Sequence, residues 1–388
     1  MEIQKQMEQY IEENREQMLA LWERLVNAES YVGEADNVNR VLAMVQREFE
    51  AEGFDCRLED VGSGWGGTLV GTLGAERGGK PILFSGHLDT VFPKGSWGEN
   101  PFVIREDKAY GPGVLDMKGG VVVALYAVKA LNQVGYRERP LKIIFSGNEE
   151  KGHINSTGAQ VFLEEAKDCL FAFNMETGLA DGCLCVGRKG HLGCRIVVNG
   201  VESHAGNDFE SGRSAIEEAA HKVLAIQALT DLEEGTTVNV GVIQGGTVVN
   251  AVPGQCRFEV DIRVAKEEGR RRIKAALPQI VQQCAVEGTS ATYEFQGDSP
   301  IYETTPEVER FYRFVCQIAR EQGLPEPGRR VLGGFSDAAY VSLAGTPVLC
   351  SFGVQGQWNH TKREYALVET LFQRANYIAA IVQQSGRF

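Results

Sequence analysis

The sequence predicts an α/β protein whose main unit is a doubly wound, mostly parallel sheet, with a second α+β unit of βαββαβ order inserted in it. Three observations carry this. Apolar runs ending in Phe-Ser-Gly at residues 84–86 and 145–147 alternate with helical stretches, the rhythm of parallel strands joined by right-handed crossovers. From residue 188 the strands instead alternate polar and apolar positions, as half-exposed antiparallel strands do, and after residue 300 the first rhythm returns. The chain of 388 residues is long enough for two domains at about 150 residues each.

Each element has its own signal. Met7, Ile11, Met18, Leu21, Trp22 and Leu25 recur at three- and four-residue spacing and predict one amphipathic helix over 4–26, followed by a second over 37–52. Short alternating strands are expected at 56–61 and 68–72, and a buried strand at 81–86. A helix over 118–134 leads to the buried strand 141–147, and a helix over 157–166 to the strand 169–174. The inserted unit reads as strand 192–199, helix 215–229, strands 237–244 and 255–264, helix 267–285 and strand 291–296, a ferredoxin-like order. The main unit resumes with helix 306–322, a Gly333-Gly334 turn, helix 337–344, strand 347–352 and helix 368–383. Domain limits are expected at 1–188 with 299–388, and at 189–298.

Composition removes several functions. A net charge of −13 repels phosphate backbones, so nucleic acid is not expected as a partner. No apolar run reaches the roughly 18 residues of a membrane span; the best, 119–128, stops at Lys129. The first thirty residues scatter charges where a signal peptide would be apolar, so a cytoplasmic location is expected. The nine cysteines include no CxxC and read as free, mostly buried thiols.

Ligands of open α/β sheets bind beyond the carboxyl ends of the strands. There the sequence places His87 and Asp89 after the first buried strand, Glu149 and Glu150 after the second, Glu176 after the third, and His360 after the late one. The turn Gly111-Pro112-Gly113-Val114-Leu115-Asp116 adds Asp116 at a helix entrance. So many carboxylates cannot stay ionised together in a cleft without cations, because like charges raise each other's pKa. Imidazole with carboxylate and no thiolate suits zinc, with cobalt or manganese as substitutes. Singly, His87 reads as a structural histidine, Asp116 as a helix cap and Glu149-Glu150 as a solvated loop; their joint placement favours two metals per chain.

Ser85-Gly86-His87-Leu88-Asp89-Thr90-Val91, Gly111 to Gly120 and Asn148-Glu149-Glu150-Lys151-Gly152 together resemble the motifs of the di-zinc exopeptidases and amidohydrolases. That family includes glutamate carboxypeptidase, aminoacylase, acetylornithine deacetylase, succinyl-diaminopimelate desuccinylase and peptidase T. The resemblance implies that Asp116 bridges two zinc ions, with His87 and Glu176 on one and Glu150 and His360 on the other. Asp89 would orient the His87 ring. Glu149 would be the general base for a metal-activated water, its side chain turned away from that of Glu150 by an extended backbone.

The inserted domain then resembles the family's lid and dimerisation domain. Its Gly200-Val201-Glu202-Ser203-His204-Ala205-Gly206 segment implies that His204 stabilises the oxyanion in the partner subunit's site. Asn250, Arg263 and Gly334 would bind substrate, Arg263 by gripping a free carboxylate. The expected reaction is hydrolysis of the amide bond next to a free C-terminal amino acid by a homodimer. The alternatives are N-acyl-amino-acid deacylation and then di- or tripeptide aminopeptidase action. The substrate class is a small peptide or N-acyl amino acid. A binding protein without catalysis would lack Glu149 or a ligand, and none is missing. His153, standing where many relatives carry serine, and Phe335 depart from the family pattern, and Arg330 is offset from it.

Overall fold

A computed structural model describes residues 2–388. The chain forms two compact units, Met1–Val186 with Thr304–Val331 and Ser336–Phe388, and Gly187–Glu303 with Leu332–Phe335. Among the described residues no helix is long and apolar enough to cross a membrane.

The first unit is built on a six-stranded sheet in the order Asp55–Glu59, Gly66–Leu73, Leu141–Gly147, Ile82–His87, Phe171–Asn174, Val348–Leu349. The last four strands run parallel, and the first two join antiparallel at one side. Ile82–His87 and Phe171–Asn174 are buried at every position, which explains their unbroken apolar character. Phe171 stacks on Phe311 of helix Pro306–Gln322 at 4.3 Å between centroids, and Phe173 meets Phe352 edge-on at 4.8 Å. Helix Gly119–Gln133 is apolar on nearly all sides and packs against Val368–Gln383 and Glu2–Glu13. Its start must be glycine: a Cβ on Gly120 would lie 2.0 Å from the Met175 carbonyl oxygen. That close approach sets the segment carrying Glu176 against the turn carrying Asp116.

Several elements differ from expectation. The first helix is broken into Glu2–Glu13 and Arg15–Asn27 because the Asn14 side chain donates to the Tyr10 carbonyl at 2.8 Å, capturing the acceptor that its own amide would use in a continuous helix. The late strand shrinks from 347–352 to Val348–Leu349, since the Cys350 backbone pairs with that of Cys185 in an isolated antiparallel bridge and Ser351 turns left-handed at φ 70°. A second sheet, in the order Val103–Arg105, Lys108–Tyr110, Tyr365–Leu367, Gln355–Gln357, Gly178–Leu179, was not foreseen. Strands of two or three residues are too short to show a period. This sheet nonetheless anchors both sides of the loop that carries His360.

The second unit is a four-stranded antiparallel sheet, Thr237–Gly245, Gln255–Val264, Gly190–Asn199, Ser290–Ser299, with helices Ala215–Gln227 and Glu267–Gln282. Alternate residues Leu192, Cys194, Ile196 and Val198 meet Phe258, Val260, Ile262 and Val264 in its core. Buried Lys222 ties the two helices: it pairs with Glu218 at 2.8 Å and donates to the Val281 and Gln283 carbonyls at 2.9 and 2.6 Å. All nine cysteines are free thiols, most of them buried.

Candidate metal centre

The parallel strands of the first unit deliver their carboxyl ends to one rim. His87 ends the strand Ile82–His87, Glu149 and Glu150 follow Leu141–Gly147, and Glu176 lies just past Phe171–Asn174. Asp116 sits in the turn Val114–Lys118, with a cis peptide bond to Met117, and His360 in the loop after Gln355–Gln357.

These side chains converge. One Asp116 oxygen lies 3.1 Å from His87 Nε2 and the other 3.2 Å from His360 Nε2. Glu176 is 3.4 Å from His87, and Glu150 is 3.1 Å from His360. Two sets of donor atoms, His87 with Glu149 and Glu176, and His87 with Asp116 and Glu150, each fall within 4.8 Å of one another. A donor set of imidazole and carboxylate in this arrangement fits divalent cations.

Supporting groups hold the donors still. The Asp89 carboxylate accepts from the Glu149 and Glu150 amides at 3.3 and 3.0 Å. The nearer contact to His87 Nδ1 is the Asp89 backbone carbonyl at 3.1 Å, with the carboxylate at 3.5 Å, so Asp89 serves the ring and the following loop together. Glu149–Lys151 forms a 3-10 turn, not the extended backbone expected, and the adjacent glutamates diverge because a helical turn separates successive side chains by rotation.

Other supports were invisible in the sequence. Glu364 accepts from the Leu115 and Asp116 amides at 2.9 and 3.1 Å, and Asn359 donates to Asp116 at 3.0 Å. Both lie close to His360 in sequence, the one signal that could have found them. His153 is buried between Asn148 Oδ1 at 2.8 Å and Asp337 Oδ1 at 2.6 Å, while Ser146 donates to the other Asp337 oxygen at 2.9 Å. The histidine thus links the loop bearing Glu149 to helix Ala338–Leu343.

The electrostatics follow from crowding. Hydrogen bonds to Asp116 and Glu150 raise the His360 pKa to about 10. Burial alone would lower His87, but its bonds to Asp116, Asp89 and Glu176 outweigh this and raise it. Burial would raise Asp116, and the two imidazoles pull it well below the usual carboxylate range. Glu150 is pushed to about 7 by burial, and Glu149 is raised well above its ordinary value by burial and by Glu176, Asp337 and Glu150.

In the second unit, His204 Nδ1 accepts from the Gly206 and Asn207 amides, both at 3.1 Å, which leaves the neutral ring's proton on Nε2. The Ala205 amide donates to the Asn250 carbonyl at 2.9 Å, so His204 and Asn250 share one corner. Arg263 lies elsewhere: its fork is taken by Asp261, with two contacts of 3.0 Å, and it also reaches the Gly333 carbonyl at 3.3 Å. The Gly334 carbonyl accepts from Arg188 at 3.1 Å.

A mixed, largely parallel α/β sheet with such a donor set at its strand ends is the framework of a metal-dependent enzyme. The chain belongs to the peptidase family M20/M25/M40, whose profile matches residues 83–384. It is 30% identical to carboxypeptidase G2 of Pseudomonas sp. (strain RS-16) over 368 residues, 94% of this chain and 88% of that one. Acetylornithine deacetylase of Myxococcus xanthus is 30% identical over 287 residues, 70% of each chain. In structure the chain is similar to aminopeptidase PepT of Bacillus cereus, with a TM-score of 0.83 at 22% identity, covering 96% of this chain and 99% of that one. The protein is therefore a hydrolase of the peptidase and amidohydrolase type, in a family that binds divalent metal.

Two outcomes are expected. Glu364→Ala leaves the amides behind Asp116 without their acceptor and should weaken metal affinity by about 10- to 100-fold, measured by competition with a chromogenic chelator. Metal binding at pH 8 should release at least about one proton per chain, since His360 holds its proton up to about 10, and affinity should fall as pH falls. Titration calorimetry in buffers of different ionisation enthalpy reads this; no release would remove His360 from the ligand set.

Proposed function

We propose that the protein is a two-zinc, carboxypeptidase-like exopeptidase that hydrolyses the amide bond next to a free C-terminal amino acid. The observation that carries the chemistry is Asp116 placed between two imidazoles, with Glu176 and Glu150 at either side. Asp116 would bridge the ions, His87 and Glu176 completing one site and Glu150 and His360 the other. Such a pair supplies a polarised carbonyl and an acidified water.

Glu149 does the proton work. Buried at the rim and not needed as a ligand in this assignment, it would accept a proton from the water and return it to the leaving amine, while the Asp89 carboxylate holds its amide in place. His204, with its proton on Nε2, would donate to the oxyanion of the partner subunit's substrate. Substrate would also meet Asn250, Gly334 and Arg263, and its carboxylate would have to displace Asp261 from the arginine fork. The choice of carboxypeptidase rests on the similarity to carboxypeptidase G2 across 94% of the chain. Deacylation of N-acyl amino acids is the second reading, favoured by the similarity to acetylornithine deacetylase.

The homodimer would form through the second unit. Strand Thr237–Gly245 lies at the sheet edge with Val242 and Ile243 45% and 52% exposed, and Leu224 of the neighbouring helix is 70% exposed. An apolar edge strand with free backbone groups suits pairing with a second copy.

Glu149→Ala should retain metal and lose about 10²- to 10⁴-fold in kcat, checked by elemental analysis beside turnover. Dipeptides set against N-acetyl and N-succinyl amino acids decide the substrate: fast release from dipeptides whose C-terminal carboxylate is free, and slow release from their amides, is expected. Preference for the acyl series would move the protein to the second reading. Mixed under subunit exchange, inactive His204→Ala and Glu149→Ala chains should recover roughly a quarter of native activity, because half the dimers then hold one complete site of two. Exchange without recovery would place His204 outside the partner's site.

A further inference from the structure

The first unit holds a cavity of about 390 Å³ beside the C-terminal helix Val368–Gln383, and none of the proposed metal ligands lines it. Arg374 and Tyr377 project from that helix into its wall. Arg374 is only 7% exposed, and among the described residues its guanidinium makes no hydrogen bond or ion pair; its Nη2 is shielded and unpartnered. The Tyr377 hydroxyl is likewise buried without a partner. Burial lowers the Arg374 pKa and raises that of Tyr377, the mark of a desolvated cation beside a neutral phenol.

Acidic residues line the same cavity, yet each is engaged elsewhere. Asp181 pairs with Arg330 at 2.6 Å, Glu326 with Arg320 at 2.9 Å, and Glu8 accepts from Gln4 at 3.0 Å. A buried guanidinium left without an anion is costly, and a cavity of this size lies in the range of roughly 300–1,000 Å³ typical of small-molecule sites. Leu324, Pro325 and Pro327 give the wall an apolar side. The acids oppose a polyanion but welcome an ammonium group.

We propose that this cavity is a binding site for a zwitterionic α-amino acid with an apolar side chain. The carboxylate would lie on the Arg374 guanidinium edge away from the shielded Nη2, the ammonium toward the acids, and the side chain on the proline-rich wall. The site is independent of the catalytic reading, because it rests on groups that the metal centre does not use.

Titration calorimetry of the metal-loaded full chain with L-leucine tests it, with leucinamide, which lacks the carboxylate, as the control. L-leucine should bind saturably, leucinamide should bind at least about tenfold more weakly, and Arg374→Gln should weaken leucine by about tenfold or more, the range of a charge-assisted pair. Turnover of Arg374→Gln without leucine should match native. Should that variant fail to fold, Arg374→Lys keeps the buried charge but not the planar guanidinium and should still weaken leucine binding measurably. Unchanged affinity in both variants, equal affinity for leucinamide, or no saturable binding to the native chain overturns the proposal.

Discussion

Asp116 is held between two imidazoles, one carboxylate oxygen to each, and the rest of the first unit is arranged to keep that group charged and still. Burial opposes its charge, so neighbouring positive groups must compensate, and His87 and His360 do so. They can reach it only because a parallel sheet brings strand ends from distant parts of the chain to one rim. Glu364 fixes the Asp116 backbone, Asp89 fixes the loop of Glu149 and Glu150, and the missing side chain of Gly120 lets the Glu176 segment approach. A cation arriving between these donors takes over a charge balance that protons otherwise keep.

The legible part of this design was the part written in long apolar runs. Ile82–His87, Leu141–Gly147 and Phe171–Asn174 announce themselves by nearly unbroken burial, and the polar residues at and after their ends are the ones the structure gathers at one rim. What escaped depends on contacts between residues far apart. Glu364 is an ordinary surface-type residue until its Oε1 meets two amides some 250 positions earlier. The five-stranded sheet that steadies the His360 loop has strands too short to carry a period, and the break at Asn14 comes from one side chain competing with one amide.

In the second unit the residues carried over from the family sit in unequal states of readiness. His204 already has its tautomer set by two backbone amides, so no proton need move before it can donate. Arg263 is the opposite case, its fork closed on Asp261 two residues away. If Arg263 receives a ligand as proposed, that ligand's carboxylate must compete with a tethered one, which would make selection at this arginine a matter of exchange.

The proposed metal donors are scattered from position 87 to position 360, with the whole second unit encoded between the fifth and sixth of the main strands to join the sheet. During synthesis the amino-terminal portion therefore emerges with His87, Asp116 and the glutamates in place but without His360, and the second unit follows before Val348–Leu349 can close the sheet edge. Chain order thus divides the proposed site: His87, Asp116, Glu149, Glu150 and Glu176 precede the second unit and His360 follows it, so the site closes only when the two ends of the chain meet across one sheet.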